Sequence, residues 1–208
     1  LFPCDAMFGM HNIPQQPAGK FVFLPGPMMA SGDRATIVVR GKGGHGAMPH
    51  ASVDPIVVGS AIVMALQSVV SRNVPPLDTA VVTVGAFLSG DACNVIPDAA
   101  ELRLTIRAFR PPIRELLEQR VKAIAQAQAA SYGATAEIAY ERGYPMVIND
   151  PAQTAFARQV ALDWLGEDGL IPDAQPVTGS EDFAFFLEKV PGCYFLIGNG
   201  TGSDGGCM

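Results

Sequence analysis

The 208 residues carry 14 Lys and Arg against 20 Asp and Glu, for a formal charge of −6, and 49% of them are apolar. That is enough apolar chain for one large core or two smaller ones, and without a basic stripe nucleic acid is not an expected partner. The longest strongly apolar run, "PIVVGSAIVMALQSVV", is shorter than the roughly 20 residues that span a bilayer and opens on a helix-start signal, so no membrane partner is expected either.

In chain order, residues 1–32 read as strand and turn pieces, with "GKFVFLPGPMMASGD" as a short strand followed by a Pro/Gly linker. "ATIVVRG" is β-rich. Asp54-Pro55 then supplies an N-cap and a first-turn proline. Ile56, Ile62, Val63, Leu66, Val69 and Val70 follow at helical spacing, which predicts a helix to about Arg72. "TAVVTVGAF" is a second strand. "ELRLTIRAF" is a third and alternates strictly: Leu102, Leu104 and Ile106 face one way, Glu101, Arg103, Thr105 and Arg107 the other. Pro111-Pro112 open a second helix that Gly133 is placed to end, and "TAEIAYE" is a fourth strand. The order β-α-β-β-α-β is that of the split-βαβ, ferredoxin-like arrangement, with both helices expected on the apolar sheet face.

After Pro145, Asp150-Pro151 starts a helix through Phe156, Val160 and Trp164 that ends near Gly166. "TGSEDFAFFLEKV" reads as a short helix capped by Ser180, and "CYFLIGNG" as an apolar strand. Residues 33–143 are therefore expected to be a compact insert between residues 1–32 and 144–208. Those flanks, poor in predicted strands, look like an incomplete domain.

Few residues can carry chemistry. The chain has only three histidines. His45, in "GKGGHGAMPH", follows a strand and sits among glycines that let backbone approach a ligand; a turn with a surface histidine explains it equally well. His50, just before a helix start, reads as a local hydrogen-bonder. Asn94 lies in a turn before the third strand and Arg107 on that strand's polar face, a pair suited to a carboxylate or to no ligand at all. Glu181 and Asp182 suit the positive end of a short helix. His11, in "FGMHNIP", is a metal ligand or a satisfied core histidine. The cysteines Cys4, Cys93, Cys193 and Cys207 form no CxxC pair and read as reduced thiols of a cytoplasmic protein.

The stretches "FGMHNIP", "VRGKGGHGAMPH", "NVIPD", "GYP" and "GSEDF" followed by "IGNG" occur in an order that resembles the hippurate hydrolase, or N-acyl-amino-acid amidohydrolase, branch of the di-metal aminoacylase/carboxypeptidase family. The resemblance implies an α/β catalytic domain with an inserted ferredoxin-like α+β lid or dimerisation domain. It also implies two divalent metal ions (zinc, manganese or similar), a homodimer, and hydrolysis of the amide of N-acyl amino acids. By the same resemblance His11 is a metal ligand, and His45 is a catalytic residue that stabilises the oxyanion across the dimer. Asn94 and Arg107 bind the substrate's carboxylate or carbonyl end, and "GSEDF" lines the active site.

The family's Cys-Gly-His-Asp-Gly-His stretch, its Glu-Glu pair and its C-terminal ligand histidine have no counterpart here, and Leu1 stands where Met would open a chain. The expectation is an internal fragment that neither holds the metal pair nor catalyses alone. The competing expectation is a stand-alone ferredoxin-like dimerisation or small-molecule-binding module.

Overall fold

A computed structural model describes residues 3–202, so Cys207 and the terminal "GGCM" lie outside the described residues. Its contacts divide the chain into two units, Gly32–Gly143 and a flanking unit formed by Leu1–Ser31 with Tyr144–Met208. The first flank contributes β1 (Met7–Ile13), β2 (Phe21–Val22) and β3 (Gly26–Met29). Next come β4 (Gly32–Arg40), β5 (Gly44–His45), α1 (Pro55–Asn73), β6 (Ala80–Leu88), β7 (Val95–Ile96), β8 (Ala99–Ala108), α2 (Pro111–Ser131) and β9 (Thr135–Tyr144). The second flank adds β10 (Val147–Asn149), α3 (Pro151–Leu165), α4 (Ala184–Leu187) and β11 (Gly192–Gly198).

In the Gly32–Gly143 unit the strand order is β6-β8-β4-β9, with β8 antiparallel to both β6 and β4. The alternation along β8 decides which face is covered. Leu102, Leu104 and Ile106 are buried, and they share one cluster with Val58, Ile62, Leu66 and Val69 of α1 and Ile113, Leu117 and Val121 of α2. Both helices thus lie on the face those three side chains select. Each fully buried Leu or Ile contributes roughly 1.5–3 kcal/mol relative to exposure. α1 begins where the sequence places it: the Asp54 carboxylate accepts from the Ile56 N–H at 2.8 Å and Pro55 fills the first turn. An Asp54→Ala variant is expected to lose about 1 kcal/mol of stability, read as a lower urea midpoint with unchanged slope. α2 stops where Gly133 takes φ +76°.

The flanking unit has its own sheet, β1-β11-β2, with β1 parallel to β11 in a seven-residue register, and a separate antiparallel pair of β10 with β3. Its core holds Val22, Met28, Val147, Ala184, Tyr194 and Leu196. Asn149, buried on β10, donates to the carbonyls of Leu24 (2.9 Å) and Tyr194 (2.8 Å) and accepts from the Tyr194 N–H (2.8 Å), which ties β10 to β11.

Three sequence expectations for this unit are corrected. The stretch read as a Pro/Gly linker contains β3, because Met28 and Met29 turn into the core and the strand pairs with β10. The flanks are not poor in strands; five of the strands above belong to them. Ser180 does not cap a helix: α4 starts only at Ala184, and the residue before it, Phe183, makes no side-chain cap bond. α3 runs where the sequence places it, between Asp150 and Gly166. Asp150 caps it as expected, accepting from the Gln153 N–H at 2.9 Å. Its buried residues are Thr154 and Ala161, while Phe156, Val160 and Trp164 are exposed.

Candidate functional site

His11 lies on β1 opposite Leu196 of β11, with its side chain exposed. Its Nδ1 is 2.5 Å from the Asn12 carbonyl oxygen. A carbonyl can only accept, so Nδ1 carries a proton, and in the neutral ring Nε2 keeps its lone pair, the form of imidazole that binds a metal. A second group lies within electrostatic reach. Glu181, part-buried in the loop before α4, sits below the ordinary Glu value. Burial pushes its carboxyl up, but hydrogen bonds from the Asp182 carboxyl, the Tyr194 hydroxyl and the Asp182 N–H, together with the charge of His11, outweigh that. Asp182 is held above its ordinary value, first by the hydrogen bond it shares with Glu181 and then by burial. Of the two carboxyls, Asp182 thus holds its proton to the higher pH.

Tyr194 supports this arrangement and was missed in "CYFLIGNG", which reads as plain apolar strand. The available signal was its hydroxyl, since a buried tyrosine needs a partner for it. Burial, then Glu181, push that hydroxyl's pKa upward. The Tyr194 ring packs on Phe183 with centroids 5.1 Å apart. Both rings close over Gly9, where a Cβ would come within 2.8–2.9 Å of them. The glycine before "MHN" is thus required by close packing.

Within the Gly32–Gly143 unit, two further candidates come together. β5 pairs with β7, His45 opposite Val95, so the His45 loop lies against the loop carrying Asn94, and the Gly46 N–H donates to the Asn94 carbonyl at 2.8 Å. Both side chains are exposed. His50 sits in the one-turn helix Pro49–Ala51. Arg107 is half-exposed near the far end of β8, opposite Val81, with Nη1 3.5 Å from its neighbour's carbonyl at Ile106. From the start of β8 to Arg107 the strand runs roughly 26 Å at about 3.3 Å per residue. Asn94 lies ahead of that start, in the loop before β7.

Among the described residues no three His, Cys, Asp or Glu side chains gather as a possible metal site. His11 with Glu181 falls short of the three or four ligands such a centre uses. The described residues do not by themselves fit a two-metal group.

The sequence matches the profile of Peptidase family M20/M25/M40 over residues 1–207, and the chain belongs to that family. It is similar to an N-acetylcysteine deacetylase of Bacillus subtilis, 42% identical over 198 residues, covering 95% of this chain and 51% of the relative. It is also similar to the hippurate hydrolase of Campylobacter jejuni, 38% identical over 198 residues, covering 95% of this chain and 52% of the relative. Among solved structures it resembles the Bacillus subtilis YXEP protein, a dinuclear metal binding peptidase from the M20 family. The TM-score is 0.72 at 35% identity, over 93% of this chain and 48% of that one. The chain spans about half the length of the curated relatives it matches.

Proposed function

We propose that the intact polypeptide is a metal-dependent amidohydrolase that cleaves the amide bond of N-acyl amino acids. The observation that carries this reading is the family membership, joined to two relatives whose names specify such substrates, an N-acetylated cysteine and hippurate, an N-acylglycine. In this reading His11 supplies one ligand of a pair of divalent ions (zinc, manganese or similar). The free Nε2 lone pair supports that role. The unit of residues 32–143 acts as the lid and dimerisation domain, with His45 donating to the scissile carbonyl oxygen and Asn94 and Arg107 reading the carboxylate.

Two features support a homodimer through this unit. β6 is an edge strand that carries exposed Phe87 and Leu88, and exposed Val57 and Met64 line α1. Arg107 stands near the end of β8 and Asn94 in the loop before β7, and in this reading the two are supplied to one ligand by different copies. A free carboxylate is what the planar guanidinium fork of Arg107 would read.

The test is turnover by the intact protein of an N-acyl amino acid and of its matching primary amide. Hydrolysis of the acid should vanish with a chelator and return with divalent metal. Arg107→Ala should raise KM steeply for the acid and much less for the amide. Binding without hydrolysis would favour a small-molecule-binding module instead, and chelator-resistant turnover would remove the metal from the reading.

A further inference from the structure

His45 occupies the first position of a turn, with the Met48 N–H donating back to the His45 carbonyl at 2.8 Å. Its side chain joins the same turn: the Ala47 N–H donates to Nδ1 at 3.1 Å. A backbone N–H can only donate, so Nδ1 must be the bare nitrogen and the neutral ring must carry its proton on Nε2. The imidazole does here what an Asp or Asn side chain does in an Asx-turn, accepting from the N–H two residues on. His11 is fixed the opposite way, with Nδ1 donating to a carbonyl.

The turn is itself anchored. On one side the Gly46 N–H bonds the Asn94 carbonyl. Below it, the Gly43 N–H bonds Asp98 Oδ1 at 2.8 Å, and Lys42 and Val53 exchange backbone bonds at 2.8 and 2.9 Å. A Cβ on residue 46 would press on the Asn94 backbone carbonyl at 3.0 Å, so a larger residue would push the turn a few tenths of an ångström off Asn94.

We propose that the turn from His45 to Met48, docked on Asn94 through Gly46, is a tautomer lock in which the Ala47 backbone N–H presents His45 as an Nε2–H donor. Gly46 and the residue-47 amide are thereby positioning elements for whatever oxygen His45 meets. This rests on the reading of His45 as the carbonyl-binding residue, and it adds what sets that residue's proton. A donor that arrives already in the required tautomer spends nothing on rearrangement at the moment of reaction.

The test uses ¹⁵N-histidine-labelled chain above the titration range of imidazole, with the His45 ring signals assigned by their loss in His45→Asn. Long-range ¹H–¹⁵N correlations should find Nδ1 bare and Nε2 protonated. The Ala47 amide provides a second readout. The carboxamide oxygen in His45→Asn can still accept from it, whereas Ala cannot. Hydrogen exchange at Ala47 should therefore stay slow in wild type and His45→Asn and speed up about fivefold in His45→Ala, the loss of one ordinary hydrogen bond. Gly46→Ala should loosen the turn, giving faster Ala47 exchange and a mixture of the two His45 tautomers. An Nδ1–H form in wild type, or Ala47 exchange indifferent to residue 45, overturns the lock. Spectra as expected with no effect of His45→Ala on turnover would overturn the functional reading and leave the lock standing.

Discussion

Asp33→Ala should cost about 3–5 kcal/mol of stability, more than any surface ion pair in the molecule. Asp33 opens β4 with its side chain fully buried, and Arg114 of α2 is only 13% exposed. The carboxylate accepts from Arg114 Nε at 3.0 Å and Nη2 at 2.5 Å, from the Tyr140 hydroxyl at 3.1 Å and from the Gly143 N–H at 3.1 Å. One buried group thus joins β4, α2 and β9. Removing it strands a guanidinium, a hydroxyl and a backbone N–H in a space with little water, and each unmet donor carries its own desolvation cost. The pair Arg40–Glu137 offers the contrast. Its side chains are 56% and 62% exposed, and such pairs contribute about 0–1 kcal/mol. Urea unfolding of Asp33→Ala and Glu137→Ala side by side checks the point. Equal, small shifts would mean that water already reaches Asp33. The double change Asp33→Ala with Arg114→Leu should lose less than the two single changes added together, because it also removes the stranded cation.

Asp33 illustrates what the sequence hides. In "SGDRATIVV" it looks like a turn residue ahead of a strand, and its main partner is 81 residues away. Nothing in local pattern names Arg114, since an arginine on a helix is ordinarily a solvated surface residue. What was legible was periodic. The alternation of "ELRLTIRAF" fixed which side of β8 is buried, and Asp54-Pro55 and Asp150-Pro151 marked two helix starts that the structure caps as written. Where periodicity is short or ambiguous, the reading slipped. The two-residue pairing of β5 with β7 has no pattern to detect, yet it places His45 beside Asn94. Phe156, Val160 and Trp164 repeat every four residues and mark the helix, but the repeat does not say which side is buried; that helix buries Thr154 and Ala161. The parallel pairing of β1 with β11, which sets His11 on its sheet, joins segments at opposite ends of the chain, and loop closure over that distance leaves no local trace.

On the proposed reading of His45 as the oxyanion donor, His45→Ala in the intact protein should lower kcat by about 10²–10³, the usual loss when one such donor is removed. Metal content per subunit should stay at the wild-type level, because the residue presents Nε2–H and a protonated nitrogen has no lone pair to give a cation. KM should change little if the bond to the carbonyl oxygen strengthens mainly as charge develops there. His11→Ala should behave in the reverse order and lose metal before anything else, since its Nε2 is the bare nitrogen. The two histidines are therefore separable by measuring metal and rate on the same preparations. His45→Asn sharpens the comparison. It keeps an acceptor for the Ala47 N–H and so keeps the turn, but its short carboxamide does not reach where Nε2–H was. It should be as slow as His45→Ala while remaining folded and metal-replete. Recovery of most of the rate in His45→Asn would assign the residue to shaping the loop, and loss of metal in either variant would make His45 a ligand.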